Sequence, residues 1–197
     1  MKRYILAITG ASGSVFGIRV LQHLATQSEV HLILSLQSLS IIMQETGIDW
    51  AGDDTLEVQK KIRGYSGSQS VYYHRNTDLS APISSGSFIT EGMLVVPCTM
   101  KTLSGIANGY GNNLIERAAD VTIKEGRHLL LSPREMPFSA IHLEHMLKLA
   151  RLGVTIAPPV PGFYHAPKDL NDIVDFIAGK ILDAFRIEHD LFKRWGS

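Results

Sequence analysis

Short apolar runs alternate along the chain with longer stretches in which apolar residues recur at helical spacing. The apolar runs predict six β-strands, which are Tyr4–Thr9, Val30–Ser35, Val71–Tyr73, Met93–Val96, Leu129–Leu131 and Val154–Ala157. The periodic stretches predict five helices, which are Val15–Ala25, Leu39–Glu45, Asn112–Lys124, Ala140–Leu152 and Leu170–Phe185. Strands that alternate with helices through short connections form a parallel sheet with helices on both faces. The pattern therefore predicts an α/β protein of the Rossmann-like type, with three αβα layers.

Two segments of the chain lack a clear period. Residues 49–87 are polar and rich in Gly, Ser and Asp, which predicts irregular structure around the short third strand. Residues 188–197 are also polar, and their three large apolar side chains are Leu191, Phe192 and Trp195. We therefore expect one domain, residues 1–187, and a C-terminal tail, residues 188–197, that docks near the functional site or on a neighbouring subunit.

The composition is that of an ordinary globular protein and argues against several classes of function. Apolar residues make up 45% of the 197 residues, enough for the core of one domain. Lysine plus arginine equals aspartate plus glutamate, at 19 each, so no net field draws the protein to nucleic acid or to an anionic membrane. The single cysteine, Cys98, rules out an internal disulfide and is typical of a reducing cytoplasm. The apolar run after Lys2 and Arg3 is too short to span a bilayer and is better interpreted as a first strand than as a signal peptide.

A glycine-rich turn joins the first predicted strand to the first predicted helix, from Thr9 to Gly17. Glycines such as Gly10 and Gly13 permit a tight turn and let backbone N–H groups approach a phosphate or a flavin ring. The spacing is not the strict dinucleotide fingerprint, and a plain βα turn with Ser14 as the helix N-cap is the competing interpretation. The place of the turn at the carboxyl end of a strand favours a ligand.

The end of the second predicted strand indicates which kind of nucleotide binds beside the glycine-rich turn. NAD-binding folds place an acidic residue at the end of this strand, where it holds the adenosine ribose. Here the strand ends in Ser35, and Glu29 lies at its other end. A serine bonds a phosphate or a ribityl hydroxyl but is a poor diol acceptor. The sequence therefore favours a mononucleotide such as FMN over NAD.

A second turn, from Pro97 to Gly105, follows the fourth predicted strand. Ligands of doubly wound sheets bind outside the carboxyl ends of the strands, so Thr99, Lys101 and Thr102 are placed to contact the same ligand. The alternative is a helix capped by Thr99 that carries a surface lysine.

Four further basic residues are candidates for a separate anion site. Arg117 and Lys124 are seven residues apart on one predicted helix and so share a face. Arg134 follows a buried strand, with Glu135 beside it, and Lys180 lies inside the last predicted helix. In a chain without net charge, this set favours an anion site over four independently solvated charges.

Several segments together resemble the flavin prenyltransferase family of the UbiX/Pad type, formerly described as aromatic-acid decarboxylases. They keep the family's order and spacing from the first strand to the last residues, and they are Ile8–Gly13, Ile83–Phe88, Pro97–Gly105, Arg117–Val121, Arg134–Pro137, Pro158–His165 and Asp190–Trp195. The resemblance implies a flavoprotein-type Rossmann-like fold. It also implies a large homo-oligomer, for example a dodecamer, with sites completed across subunit interfaces.

The resemblance implies an activity as well. Members of the family join a dimethylallyl group from dimethylallyl monophosphate to N5 and C6 of reduced FMN, without a metal ion. The prenylated FMN then serves a separate decarboxylase of the UbiD type. The pathway that such a partner serves is quinone synthesis, including ubiquinone biosynthesis, or aromatic-acid breakdown.

The resemblance also assigns roles to individual positions of this chain. It implies contacts with the flavin at Gly10, Ala11, Ser12, Ser35, Thr99, Met100, Lys101, Thr102 and Arg134. It implies contacts with the allyl phosphate at Arg117, Lys124, Arg134, Tyr164 and Lys180. It places four residues at the reacting centre, namely Ser12, Glu45, Glu135 and Trp195. The chain departs from the family pattern at Lys180, where some relatives carry arginine, and after Ser35, where the usual lysine is absent.

The residues suit metal-independent chemistry on a monophosphate. Diphosphate-using prenyltransferases commonly hold Mg²⁺ in acidic clusters, but the acidic run Asp53–Glu57 is better interpreted as a turn and helix N-cap. Basic side chains and the Tyr164 hydroxyl supply positive charge and a donor for a leaving phosphate. We hypothesise that Glu135 handles a flavin proton, with the departing phosphate as the alternative base, and that Glu45 orients Ser12. Candidates for an aromatic wall that stabilises an allyl cation are Phe163, Tyr164 and Trp195.

Other interpretations of single residues and of the whole chain stay open. Cys98 is interpreted either as a buried, inert thiol or as a nucleophile. His142 and His145 are interpreted either as polar residues on a helix surface or as two ligands of a metal site. The run Ser84–Ser87 is an ordered loop near the site, a subunit contact or a linker. The rival functions are a non-catalytic FMN carrier for a partner decarboxylase and an FMN-dependent decarboxylase of the peptidyl-cysteine type. We find neither the histidine base nor the asparagine-methionine signature of the latter.

Overall fold

The computed structural model describes residues 1–194, and at its centre is a six-stranded parallel β-sheet. The strands are β1 (Arg3–Ile8), β2 (Glu29–Leu34), β3 (Val71–Arg75), β4 (Gly92–Cys98), β5 (His128–Pro133) and β6 (Thr155–Ile156). Their order across the sheet is β3-β2-β1-β4-β5-β6, and every neighbouring pair is parallel. All six predicted strands are present, so the predicted parallel sheet is confirmed.

Seven α-helices cover the sheet within residues 1–194. They are α1 (Ser14–Gln27), α2 (Leu36–Thr46), α3 (Thr55–Ser66), α4 (Met100–Ala107), α5 (Leu114–Lys124), α6 (Ala140–Arg151) and α7 (Leu170–Ala184). Side chains of α1, α3 and α7 share one apolar core with one face of the sheet, and those of α4, α5 and α6 share a second core with the other face. The predicted three-layer αβα architecture is confirmed. None of these helices has the length and apolar content that a bilayer span requires.

The two cores follow from the alternation of side chains along the central strands. In β1, Leu6 and Ile8 belong to the first core, while Ile5 and Ala7 belong to the second. In β4, every residue from Gly92 to Cys98 is buried. A strand that is covered on both faces needs apolar residues at successive positions, which is why β4 reads as a continuous apolar run rather than an alternating one.

The helices differ from the prediction in the first half of the chain. Helix α3 lies in the stretch predicted to be irregular, where Val58 and Ile62 are buried one turn apart. Its N-terminus bears out the interpretation of the acidic run as a cap, because Asp54 accepts the backbone N–H of Leu56 at 3.3 Å. Helix α2 begins three residues before the predicted Leu39. Helix α4 occupies most of the second turn, and Thr99 is its N-cap. The helix capped by Thr99, which was the alternative interpretation of that turn, is therefore present.

The competing interpretation of the glycine-rich turn, with Ser14 as the N-cap of α1, is wrong in its choice of cap. Gly13 occupies the N-cap position in the left-handed conformation, with φ of 93°, and Ser14 is the first residue of the helix. Glycine adopts this conformation without the steric cost that a β-carbon imposes. The turn therefore depends on Gly13 for its shape, and the polar partner of the helix start comes from another element.

The sheet changes its direction of winding between β1 and β4. The chain places β2 and β3 on one side of β1, whereas β4 leads to β5 and β6 on the other side, so a crevice opens at the carboxyl ends of these two strands. The Thr9 hydroxyl, directly after β1, donates to the Pro97 carbonyl oxygen at 2.8 Å and accepts the Thr99 backbone N–H at 2.8 Å. This hydroxyl ties the glycine-rich turn to the second turn at the crevice.

Gly17 lets α1 pack directly on β4. A β-carbon at this position would collide with the carbonyl oxygen of Val96 and would lie 3.0 Å from Cγ1 of Ile8. Because both groups are held in the sheet, we expect Gly17→Ala to lower the free energy of unfolding by about 2 kcal/mol or more, in the upper range of overpacking costs. Urea denaturation at a fixed protein concentration measures the change.

Gly64 of α3 provides a matched control, because a β-carbon there would meet nothing within 4 Å. Gly64→Ala should leave the free energy of unfolding unchanged or raise it by up to about 1 kcal/mol, since alanine favours a helix over glycine. Equal stabilities for the two variants would contradict the close packing of α1 on β4.

Candidate active site

A cavity of about 310 Å³ lies at the carboxyl ends of the strands, beside the turn that follows β1; we call it the switch-point cavity. Five of the predicted cofactor-binding residues line it, namely Gly10, Ser35, Thr99, Lys101 and Thr102. They come from the ends of β1, β2 and β4, which are far apart in the sequence. The structure thus brings together most of the residues that the sequence placed around one ligand.

Three helices begin at the switch-point cavity. The N-caps of α2, α4 and α5 are Ser35, Thr99 and Asn113, and all three line the cavity. Each side chain accepts a backbone N–H from the first turn of its own helix, at 3.1 to 3.2 Å. The positive ends of three helix dipoles therefore converge on this cavity, which is the environment that a phosphate prefers.

The N-terminus of α1 is satisfied in a different way. The Glu45 carboxylate, from α2, accepts the backbone N–H groups of Gly13 and Ser14 at 3.1 and 2.9 Å and the Ser14 hydroxyl at 2.7 Å. Partial burial raises the pKa of Glu45, but hydrogen bonds from Ser12, Ser14 and Gly13 outweigh burial and hold this pKa below its ordinary value. The predicted pairing of Glu45 with Ser12 is present. An internal carboxylate already occupies this helix start, and the carboxylate of Glu116 lines the cavity from the first turn of α5, so a ligand anion belongs at the starts of α2 and α4.

Packing fixes the surroundings of three residues that are predicted to contact the flavin, one of which, Gly10, also lines the switch-point cavity. A β-carbon at Gly10 would lie 2.6 Å from Cβ of Gln37, so the glycine is required for the turn to lie against α2. The Met100 side chain is buried in the second core, so only its backbone faces the second turn. Ala11 is also buried, with its N–H bonded to the Thr9 carbonyl oxygen at 2.9 Å.

A second cavity of about 590 Å³ lies beyond β5, and we call it the β5 cavity. Arg134 and Glu135 line it together with the segment Pro158–Pro161. The backbone N–H of Arg134 donates to the Cys98 carbonyl oxygen at 3.1 Å, directly before Thr99 of the switch-point cavity. The two cavities are therefore neighbours, joined by the ends of β4 and β5.

A third cavity has a volume of about 310 Å³, and we call it the α7 cavity. It shares two prolines and one valine of this segment with the β5 cavity. Lys180 and Phe176 of α7 line it. The Tyr164 ring packs edge-on against Phe176, with ring centroids 5.5 Å apart. The segment Pro158–Pro161 thus separates Arg134 and Glu135 on one side from Lys180 on the other.

The predicted cluster of four basic residues is not assembled within one chain. The Arg117 guanidinium donates to the Ser84 carbonyl oxygen at 3.1 Å and pairs with Asp120 at 3.1 Å. Lys124 pairs with Glu125. Both residues lie beside the loop Ser84–Ser87 and line none of the three cavities. Trp195, predicted at the reacting centre, lies outside the described residues.

The switch-point cavity is also lined by residues that the sequence analysis did not single out. They are Thr9, Gln37, Asn76, Asn113, Ile115 and Glu116. Two of them carried a usable signal, because Asn76 directly follows β3 and Asn113 is a polar residue directly before a helix. The Asn76 carbonyl oxygen accepts the Leu114 backbone N–H at 2.8 Å, which ties the end of β3 to the start of α5.

The non-catalytic interpretations hold for Cys98 and His142, and the run Ser84–Ser87 is an ordered loop rather than a linker. Cys98 is fully buried, and burial raises the pKa of its thiol, so it is suited to packing rather than attack. His142 belongs to a capping box, in which its ring accepts the Ser139 backbone N–H at 3.3 Å. The loop Ser84–Ser87 is ordered by Arg127, which donates to the Gly86 carbonyl oxygen at 2.6 Å. In the part of the chain described, no three His, Cys, Asp or Glu side chains are grouped closely enough to hold a metal ion.

Comparisons with known proteins agree with this site. The chain matches the family model described as Flavoprotein over residues 1–182. It is 46% identical over 195 residues to a flavin prenyltransferase UbiX of Methanocaldococcus jannaschii, a match that covers 99% of each chain. A dodecameric FMN-dependent UbiX-like decarboxylase from Escherichia coli O157:H7 superposes with a TM-score of 0.88 at 42% identity, covering 99% of this chain and 100% of that one. AnUbiX (PadA1), solved in complex with FMN and dimethylallyl pyrophosphate, superposes with a TM-score of 0.89 at 40% identity, covering 100% and 98%.

Glu45 should make stability depend on pH in a definite direction. Because its folded pKa lies below the ordinary value of 4.5, its carboxylate stabilises the fold above that pH and loses this effect as the pH falls through the folded pKa. We expect Glu45→Gln to lower the free energy of unfolding by about 1 kcal/mol near neutral pH, the size of an exposed helix-terminus interaction. At acid pH the difference should vanish, because the wild-type carboxyl is then neutral too.

Urea denaturation at about pH 7 and about pH 3 measures this difference. Glu144→Gln, which changes an exposed carboxylate on α6, is the control and should behave like the wild type at both values. A loss for Glu45→Gln that is equally large at both pH values would show that the charge of Glu45 does not stabilise the start of α1.

Proposed function

The chain belongs to the flavin prenyltransferase family, and from that premise we propose that it joins the dimethylallyl group of dimethylallyl monophosphate to N5 and C6 of reduced FMN. The observation that carries this proposal is the pair of adjoining cavities at the carboxyl ends of the strands. One is built for a phosphorylated ligand by the N-termini of α2 and α4, and the other brings Arg134 and Glu135 beside it. A relative solved with FMN and dimethylallyl pyrophosphate supports FMN and a phosphorylated dimethylallyl donor as the two ligands.

The residues of the switch-point cavity fit FMN. The hydroxyls of Ser35, Thr99 and Thr102 and the N-termini of α2 and α4 suit its phosphate and ribityl chain. On reduced FMN, N5 would displace the phosphate from the allylic carbon and lose its proton. C6 would then bond to the far carbon of the allylic double bond, which takes up one proton while C6 loses its own. Ser12, held by Glu45, is placed at the edge of the glycine-rich turn to position the N5 region. The backbone of Gly10, Ala11 and Met100 and the Lys101 ammonium complete the flavin contacts in this proposal.

The leaving phosphate belongs at the β5 and α7 cavities. Breaking the allylic C–O bond leaves two electrons on the phosphate oxygen, and that charge is stabilised by Arg134, Lys180 and the Tyr164 hydroxyl. Lys180 supplies a point charge where some relatives have the fork of arginine. The apolar walls contributed by Pro158–Pro161 and Phe176 suit the dimethylallyl chain. This arrangement needs no metal ion to carry the phosphate charge.

Glu135 is our candidate for the base that accepts a proton from the flavin. Its carboxylate lies in the β5 cavity and accepts the Met136 backbone N–H at 3.2 Å, so the side chain is held near the surface of that cavity. The departing phosphate is the competing base, because it is released beside the same atoms.

A neighbouring copy of the chain supplies Arg117 and Lys124 in this proposal. Both side chains are far from Arg134 along the surface of one chain, yet both are expected to contact the donor phosphate. The dodecameric relative supports an assembly in which such surfaces meet. Exposed apolar side chains are also available for interfaces, among them Met136, Leu143 and Leu147. The product then serves a separate UbiD-type decarboxylase in the cytoplasm.

The two rival functions are not favoured. A carrier of FMN needs the switch-point cavity but has no use for Arg134, Glu135 and Lys180 around two further cavities. A decarboxylase of the peptidyl-cysteine type shares the fold, but the segment Arg134–Pro137 stands where its asparagine-methionine signature belongs.

Anaerobic incubation with reduced FMN and dimethylallyl monophosphate tests the reaction directly. We expect mass spectrometry of the released flavin to show a gain of one C5 prenyl unit, and an excess of chelator should leave the yield unchanged. Unmodified flavin with this donor and with other allyl phosphates and diphosphates, despite tight FMN binding, would favour the carrier.

Glu135→Gln separates the two candidate bases in the same assay. If Glu135 takes the flavin proton, turnover should fall by roughly 10²-fold or more, the usual contribution of a general base, while FMN binding persists. Full turnover in this variant would assign the proton to the departing phosphate.

Mixed oligomers test whether two copies share a site. Arg117→Ala and Arg134→Ala should each abolish turnover when expressed alone. When the two chains are co-expressed with different tags and purified as mixed assemblies, about a quarter of the sites should hold both arginines, because each site draws them from different copies. If the mixed assemblies stay as inactive as the single variants, each site is built within one chain.

A further inference from the structure

Residues 188–194 of the tail run back along α7 and pack against it. Leu191 and Phe192 lie on the first core, and the Phe192 ring is 5.1 Å from the Phe176 ring, between centroids. Gly179 forms the seat for this contact. A β-carbon there would lie 2.5 Å from the Phe192 ring and 2.7 Å from Cε1 of His189, so any side chain would push the tail away.

One carboxylate holds the polar side of the tail. Asp183 accepts two N–H groups of the Arg194 guanidinium, at 2.8 and 3.2 Å, and pairs with Nε2 of His189 at 3.2 Å. The His189 side chain is fully buried, so without Asp183 its ring nitrogen would lack this partner. Burial raises the pKa of Asp183, but Arg194 and His189 outweigh burial and hold it below its ordinary value.

The same carboxylate borders the α7 cavity. Oδ2 of Asp183 lies 3.9 Å from Nζ of Lys180, which lines that cavity together with Phe176. The Asp183 carboxylate thus lies between the cations of Lys180 and Arg194. The tail therefore presses on the aromatic wall of the cavity through Phe192 and shares the charge of its rim through Arg194.

We infer that Asp183 is a positioning residue for donor binding, which latches residues 188–194 onto α7 and thereby fixes the Phe176 wall and the Lys180 ammonium of the α7 cavity. Gly179 is the seat of the latch. The inference rests on the proposed function, because it takes the α7 cavity as part of the donor site. We expect the latch to act on the donor rather than on FMN, since the contacts described for residues 188–194 are with α7 and α1.

Two variants release the latch in different ways. Asp183→Asn removes the charge that holds Arg194, while Gly179→Ala keeps every charge and blocks the seat. Alanine favours a helix over glycine, so Gly179→Ala releases the tail without weakening α7. Asp175→Asn is the matched control, because Asp175 lies on the same helix and pairs with Arg19 at 2.7 Å, away from the tail.

The experiment combines steady-state kinetics with amide hydrogen exchange on the full-length protein. We expect both latch variants to raise the KM for dimethylallyl monophosphate about tenfold, to leave FMN affinity unchanged and to speed exchange across residues 188–194, a loss equivalent to about 1.4 kcal/mol of donor binding. Asp175→Asn should match the wild type in all three measurements.

Two results would overturn the latch: unchanged tail exchange in Asp183→Asn, or fast exchange in both variants with an unchanged KM for the donor. A wild type that prenylates no flavin refutes the proposed function and the donor-binding role with it. That failure is distinguishable from failure of the latch, because tail exchange is read without turnover.

Discussion

The Thr9 hydroxyl joins the two central strands at the point where the winding of the sheet reverses, and every part of the site is placed relative to that junction. It links the end of β1 to Pro97, which lies in β4, and to Thr99, which directly follows β4. Gly17 brings α1 against β4 one helical turn away, so the start of α1 cannot drift from the junction. With β1 and β4 locked together, α2 and α4 begin on either side of one crevice, and the loop after β5 is bonded to the end of β4 through Arg134 and Cys98.

Helix N-termini rather than net charge make this crevice attractive to anions. The chain carries equal numbers of acidic and basic residues, so no long-range field concentrates a phosphate. Four helices begin near the crevice, and the Glu45 carboxylate satisfies only the start of α1. The other three starts have neutral caps in Ser35, Thr99 and Asn113, but Glu116 adds a carboxylate in the first turn of α5, so the dipoles of α2 and α4 are the ones left to act on a ligand. Internal carboxylates at two helix starts thus determine where an external anion can bind.

The parts of the fold that depend on neighbours in sequence could be predicted, and those that depend on distant partners could not. Buried parallel strands such as β4 are visible because both faces demand apolar residues. Helix α3 was missed because Val58 and Ile62 are its only fully buried apolar residues in a polar stretch that carries an internal Gly64. Ser14 is a natural candidate for a cap because it is polar and precedes an apolar helix, whereas the true acceptor, Glu45, is 31 residues away. Periodicity placed Arg117 and Lys124 on one face but says nothing of which surface that face meets.

Three of the four basic residues of the proposed donor site have acidic neighbours, and this feature bears on how a neutral protein would bind and release an anion. Arg117 pairs with Asp120, Lys124 with Glu125, and Lys180 lies near Asp183; the three cationic side chains are 41%, 48% and 56% exposed. Exposed ion pairs of this kind contribute at most about 1 kcal/mol, whereas a hydrogen bond to a charged phosphate contributes about 1.5–3 kcal/mol. Under the proposed function, an arriving phosphate competes with Asp120 and Glu125 for their cations at little cost, while Asp183 stays bonded to Arg194 and His189. After the phosphate leaves, these carboxylates are again the partners of their cations. Local pairing would therefore offset much of the positive charge of the site while no anion is bound.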